Sequence, residues 1–139
     1  MTLPLRPDRP WRVLVVEDHP VNRVVAQSML AHLGVDCALA EDGQEAVTLA
    51  LPGGFDLILM DQHLPVLDGL AATQALQRGW AAAGQAPVPV VAMTAGDEAL
   101  DGVLCRAAGM TGFLAKPFTL EALAACLAQH LAPPVVDGG

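Results

Sequence analysis

Four short apolar runs punctuate the chain without alternating with polar residues: RVLVV at 12–16, FDLILM at 55–60, VPVVAM at 88–93 and GFLA at 112–115. Runs rich in Val, Ile and Leu that stay apolar on consecutive positions predict strands covered on both faces. A weaker run, DCALA at 36–40, predicts a fifth. Helical patterns fill the gaps between them. The first begins at Pro20, carries Val21, Val24, Val25, Met29 and Leu33 as its apolar positions, and stops at Gly34. The second starts behind Asp42, a residue type that caps helix N-termini, and ends at the PGG of 52–54. GLAATQALQRG (69–79) gives the third, and DEALDGVLCRAAG (97–109) the fourth, closing at Gly109. The fifth starts at Thr119 and aligns Leu120, Leu123, Leu127 and Leu131 on one stripe, leaving Ala122, Ala125, Cys126 and Ala128 to an outer face. Five β-α repeats predict an α/β fold, a doubly wound parallel sheet with helices on both sides. Residues 1–10 and 133–139 read as flexible tails around one domain spanning 11–132.

Composition narrows the function. The chain has 139 residues, enough to bury one core, and 53% of them are hydrophobic but only 4% aromatic, so that core is aliphatic. Fifteen acids against seven bases leave a formal charge of −8. That excludes nucleic acid, which needs a basic surface, and disfavours an anionic membrane. It favours a cation such as Mg²⁺ or a partner with a basic patch. Cys37, Cys105 and Cys126 are far apart and form no CxxC pair, which reads as reduced thiols in a cytoplasmic protein. No stretch reaches the roughly 18 apolar residues of a membrane span.

In open α/β sheets ligands sit beyond the carboxyl ends of the strands. Glu17 and Asp18 follow the first predicted strand there, Asp61 the third, Thr94 and Ala95 the fourth, and Lys116 the fifth. Lys116 is the only lysine; the other six cations are arginines. Three carboxylates in one small space repel one another unless cations intervene. A hard divalent ion takes oxygen ligands, and its two charges with the one of Lys116 would balance the three acids. A compact ammonium fits such a place better than a planar guanidinium.

These residues and their neighbours resemble the receiver domains of two-component response regulators. VLVVEDHPVNR carries the acidic pair, DLILMDQHLPVLDG an aspartate followed by Pro65 and Asp68-Gly69, VVAMTA the hydroxyl, and FLAKPF the lysine. The resemblance spans about 11–132 and implies a five-stranded flavodoxin-like (βα)₅ fold with strand order 2-1-3-4-5. It also implies roles. Asp61 is the phospho-acceptor; Asp18 and Asp61 bind Mg²⁺ (or Mn²⁺), Glu17 helps through water, and the main-chain carbonyl of His63 completes the protein ligands. Thr94, Ala95 and Lys116 hold the phosphoryl group, Thr94 and Phe113 form a switch, and the Lys116–Pro117 bond is cis. The domain catalyses only its own phosphorylation and dephosphorylation, and the signal appears on the face of helix 4, strand 5 and helix 5. The EDHPVNRVVA and AAGMTGFLAKPF segments look more like the receivers of hybrid histidine kinases, which implies a phosphorelay role. A histidine kinase or histidine phosphotransfer domain is therefore the expected partner, and a monomer or weak dimer the expected state.

The His63 side chain is a candidate for tuning acyl-phosphate lifetime, its plainer alternative being a solvated rim residue. His19, His32 and His130 read as loop or surface. The competing function is a Mg²⁺-dependent aspartyl-phosphate hydrolase of small phosphate esters, whose usual second aspartate is replaced here by His63. A nucleotide or flavin binder is a weaker rival, because VVEDHPVN offers carboxylates where a phosphate loop offers N–H groups.

Overall fold

The computed structural model describes residues 9–94 and 98–131, the side chains of 98–101 excepted. Five strands alternate with five helices: β1 (Arg12–Val16), α1 (Pro20–His32), β2 (Asp36–Ala40), α2 (Gly43–Ala50), β3 (Leu57–Asp61), α3 (Gly69–Ala82), β4 (Val90–Thr94), α4 (Glu98–Ala108), β5 (Gly112–Ala115) and α5 (Leu120–His130). All ladders are parallel and the strand order is β2-β1-β3-β4-β5, as the resemblance implies. The predicted tails fall almost wholly outside the described residues.

Two strands sit later than the apolar runs suggest. Phe55 and Asp56 precede β3, where Asp56 accepts the Arg12 N–H at 2.8 Å and pairs with Arg9. Val88 and Pro89 precede β4, since proline brings no ladder donor. The shift makes Asp61 and Thr94 the last residues of their strands. Helix α3 runs past Gly79 to Ala82 and turns out at Gly84, whose φ is +67°. A Cβ at Gly79 would strike the Leu51 side chain, so this glycine serves the approach of α3 to the end of α2.

The sheet separates two cores. Leu14, Ile58, Met60, Leu76, Trp80 and Val90 belong to one; Val13, Val15, Leu57, Leu59, Leu123 and Leu127 belong to the other. The α1 stripe differs from its prediction. Ala26 and Leu30 are its buried residues, whereas Val21, Val24 and Val25 are 61%, 59% and 43% exposed. On α5 the leucines face inward as expected, Leu120 only in part. Cys126, placed on the outer face by its sequence position, is buried with Ala124. His130 is half-buried against Gly112, its Nδ1 3.0 Å from the Cys126 carbonyl oxygen.

Candidate functional site

The carboxyl ends of β1, β3, β4 and β5 bring together the side chains that sequence position had only aligned. Glu17, Asp18 and Asp61 each offer a carboxylate oxygen, and these three atoms lie within 4.8 Å of one another. Glu17 and Asp61 are buried and Asp18 is exposed at the mouth. Lys116 spans the buried pair: its Nζ donates to Glu17 Oε2 at 3.0 Å and to Asp61 Oδ2 at 3.1 Å. The lysine is delivered by β5, where Lys116 N donates to the Thr94 carbonyl at 2.7 Å and the Lys116–Pro117 peptide is cis.

The loop after β3 is built tightly around Asp61. Its Oδ1 accepts the His63 N–H at 3.3 Å, and Gly69 N donates to the Gln62 carbonyl at 3.0 Å. A side chain at Gly69 would collide with the main-chain carbonyl of Asp61, so only glycine lets α3 start there. Asp68 caps that helix, accepting from Ala71 N at 2.8 Å. Val66, 80% exposed, has φ +68°, with Leu67 N donating to the Pro65 carbonyl at 2.7 Å. A β-branched residue held there stores backbone strain at the rim of the site.

Charge and burial set the protonation of the cluster. Burial pushes the Glu17 carboxyl up, but hydrogen bonds with Asn22, Asp61 and Lys116 outweigh it and leave it below the ordinary range. Asp61 goes the other way: burial and the neighbouring Glu17 raise it, and Lys116 recovers only part. The Lys116 ammonium loses to burial but gains more from its two carboxylates, and ends above its usual value. One lysine is thus too little positive charge to offset burial and the neighbouring acid, and Asp61 is the carboxyl whose ionisation is disfavoured. A divalent cation would supply the missing charge and favour its ionised form.

A second observation concerns Thr94, at the end of the neighbouring strand. It is 1% exposed, and among the described residues its Oγ1 has no hydrogen-bond partner. A buried hydroxyl left unpaired costs about 1–3 kcal/mol, so Thr94 has a hydrogen bond still to give. Three hard oxygen donors and one orphan hydroxyl therefore fit a Mg²⁺ ion and a phosphoryl group respectively. Ala95 lies outside the described residues. Phe113 is half-buried, its ring 5.4 Å from the Arg106 guanidinium on α4. The His63 and His19 side chains are exposed.

Three participants escaped the sequence reading. Asn22 Nδ2 donates to Glu17 Oε1 at 3.0 Å, and Arg23 Nη1 to the Glu17 carbonyl at 2.8 Å. Their signal was position alone, one turn beyond the acidic pair. Gln62, buried beside Asp61, donates to Cys105 Sγ at 3.3 Å; nothing in its type or spacing announced that contact. A cleft of about 300 Å³ opens between α1 and the β5–α5 loop, with Glu17 and Lys116 in its wall beside Val25, Met93 and Phe118. Among the described residues, no helix is long and apolar enough to cross a membrane.

Comparison with known proteins places this arrangement. The family model described as the response regulator receiver domain matches residues 13–128. Histidine kinase 5 of Arabidopsis thaliana is 38% identical over 86% of this chain, which spans only 16% of that kinase's length. Among solved structures, one similar chain comes from the co-crystal of the Saccharomyces cerevisiae histidine phosphotransfer protein Ypd1 and the receiver domain of the response regulator Ssk1. It is 34% identical with a TM-score of 0.83, covering 88% of this chain and 89% of that one. Another is the receiver domain of a Pseudomonas aeruginosa sensor histidine kinase, solved with a magnesium ion coordinated in its active site cleft. It is 39% identical with a TM-score of 0.77, covering 88% and 98% of the two chains.

Proposed function

Because the chain belongs to the response regulator receiver domain family, we propose that it is a phospho-accepting switch in which Asp61 takes a phosphoryl group from a partner's phosphohistidine. The carrying observation is the convergence of Glu17, Asp18 and Asp61 around one ammonium group, Lys116, beside an unpaired buried hydroxyl, Thr94. Transfer forms a bond between an Asp61 carboxylate oxygen and phosphorus and breaks the phosphorus–nitrogen bond, the imidazole leaving with the partner. The transition state is loose and spreads charge over three oxygens, so the protein's task is to position and to neutralise.

Asp61 must be ionised to attack; Lys116 favours that form in part, and a bound cation would supply the rest. As charge moves onto the phosphoryl group, the Lys116 ammonium follows it, and the Thr94 hydroxyl donates the hydrogen bond it otherwise lacks. Asp18 and Asp61, the His63 carbonyl and, through water, Glu17 would hold Mg²⁺, with Mn²⁺ as a substitute. The ion supplies charge neutralisation at the nucleophile and the transferring group. Water attack on the acyl phosphate resets the switch, and the exposed His63 side chain stands where it can influence that rate. Engagement of Thr94 draws β4 toward the site and gives Phe113 room to leave Arg106, altering the face of α4, β5 and α5.

The partner is a histidine kinase or histidine phosphotransfer domain. Val21, Val24 and Val25 on α1, exposed next to the acidic loop, provide an apolar landing place for such a domain's helix. The test is incubation with Mg²⁺ and acetyl phosphate followed by intact mass. One phosphoryl group on the wild type and none on Asp61→Asn supports the reading. Steady turnover of a small ester without stoichiometric labelling would replace it with the hydrolase.

A further inference from the structure

Lys116 holds two acids in the resting state, yet the reaction needs it on the phosphoryl group. Glu17 would then lose the partner on its Oε2. The first turn of α1 supplies a substitute. Asn22 Nδ2 holds the other oxygen, Oε1, at 3.0 Å, and Arg23 holds the Glu17 carbonyl at 2.8 Å while its Nη2 pairs with Glu41 at 3.1 Å. The Glu17 N–H is bonded to the Ala40 carbonyl at 3.0 Å, so the backbone is anchored from both sides. The freedom left is in the Glu17 side chain, and Asn22 restrains it.

We propose that Asn22 is a positioning residue of the metal site: it keeps the Glu17 carboxylate oriented toward the ion when Lys116 moves to the phosphoryl group. The inference rests on the receiver reading above. Its chemistry is that of an outer hydrogen-bond donor orienting an acidic side chain, whose loss typically costs about 10–100-fold in metal affinity. Glu17 is expected to act through water, so the lower end, about tenfold, applies. Asn22 is itself exposed and buries no side chain of its own, so its removal leaves the core untouched.

Calorimetric Mg²⁺ titration of the whole chain tests this. Asn22→Ala should bind Mg²⁺ about tenfold more weakly while still folded at the titration temperature, and its deficit in acetyl-phosphate labelling should close as Mg²⁺ is raised. Asn22→Gln, which keeps the amide donor, should recover most of the affinity. Equal affinity in wild type and Asn22→Ala overturns the proposal, and so does a loss that is not restored by Asn22→Gln. A wild type that takes up no Mg²⁺ removes the receiver reading itself, and this inference with it.

Discussion

Helices α1 and α5 cover the same face of the sheet, yet they divide their residues between stability and function in opposite ways. Helix α5 buries Leu123, Ala124, Cys126 and Leu127 and starts on a conventional cap, Ala122 N donating to Thr119 Oγ1 at 3.0 Å. Helix α1 buries only Ala26 and Leu30, leaves three valines in solvent, and begins at His19 with no side-chain cap. Its first turn instead sends Asn22 and Arg23 to Glu17. A helix that borders the site gives up packing and capping that its neighbour keeps.

The largest effect that separates the two helices is core truncation. Leu127→Ala should destabilise the domain by about 2–5 kcal/mol, read from urea unfolding. Val21→Ser with Val24→Ser should stay within about 0.5 kcal/mol of wild type, as exposed changes do. The same pair should slow phosphotransfer from a histidine phosphotransfer domain about tenfold while leaving labelling by acetyl phosphate unaltered, an energetic effect of about 1.4 kcal/mol. Loss of stability in the valine pair would mean that α1 is packed like α5 after all.

This contrast also marks what the sequence could convey. Strand runs and the acid, hydroxyl and lysine positions were legible because burial on both faces and fixed strand-end chemistry leave local signatures. The valines of α1 were not. Their spacing has the helical period of a core stripe, and only the packing of Ala26 and Leu30 into the core beneath α1, over β1 and β2, decides which face turns inward. Cys126 failed for the related reason that the inward arc of α5 is wider than a leucine stripe. The starts of β3 and β4 fall after Phe55 and Val88 because apolar character begins before the strand does. Asn22 and Gln62 act through tertiary contacts that no local pattern encodes.

An intermediate effect comes from the acid cluster that α1 serves. Asp61 has a carboxyl raised by burial and by Glu17, so the folded state binds its proton more tightly than the unfolded chain does. The resulting stability is full below the ordinary carboxylate range and lost as pH rises through the elevated value. Glu17, depressed, works in the other direction and loses its contribution as pH falls. In metal-free buffer at pH 7, Asp61→Asn should therefore stabilise the domain by about 1 kcal/mol, within the range seen when a functional site is relieved. The gain should vanish toward pH 4 and shrink with added Mg²⁺. A neutral or destabilising Asp61→Asn at pH 7 would show that Lys116 alone balances the pair.

The smallest effect lies at the two helix starts. Thr119→Ala removes a cap oxygen from α5 and should cost about 1 kcal/mol. His19 already has the extended backbone of a cap, φ −87° and ψ 120°, with Pro20 at the first helical position, but its side chain caps nothing. His19→Ser should then gain about 0.5 kcal/mol by accepting from an N–H of the first turn. The gain is small because Arg23, bonded to the Glu17 carbonyl, already ties that turn to β1. It should grow when Arg23→Ala removes the tie, since the cap would then be what fixes the helix start. Equal gains in both backgrounds would show that the Arg23 contact serves the acidic loop without holding the helix, and the division of labour between α1 and α5 would rest on packing alone.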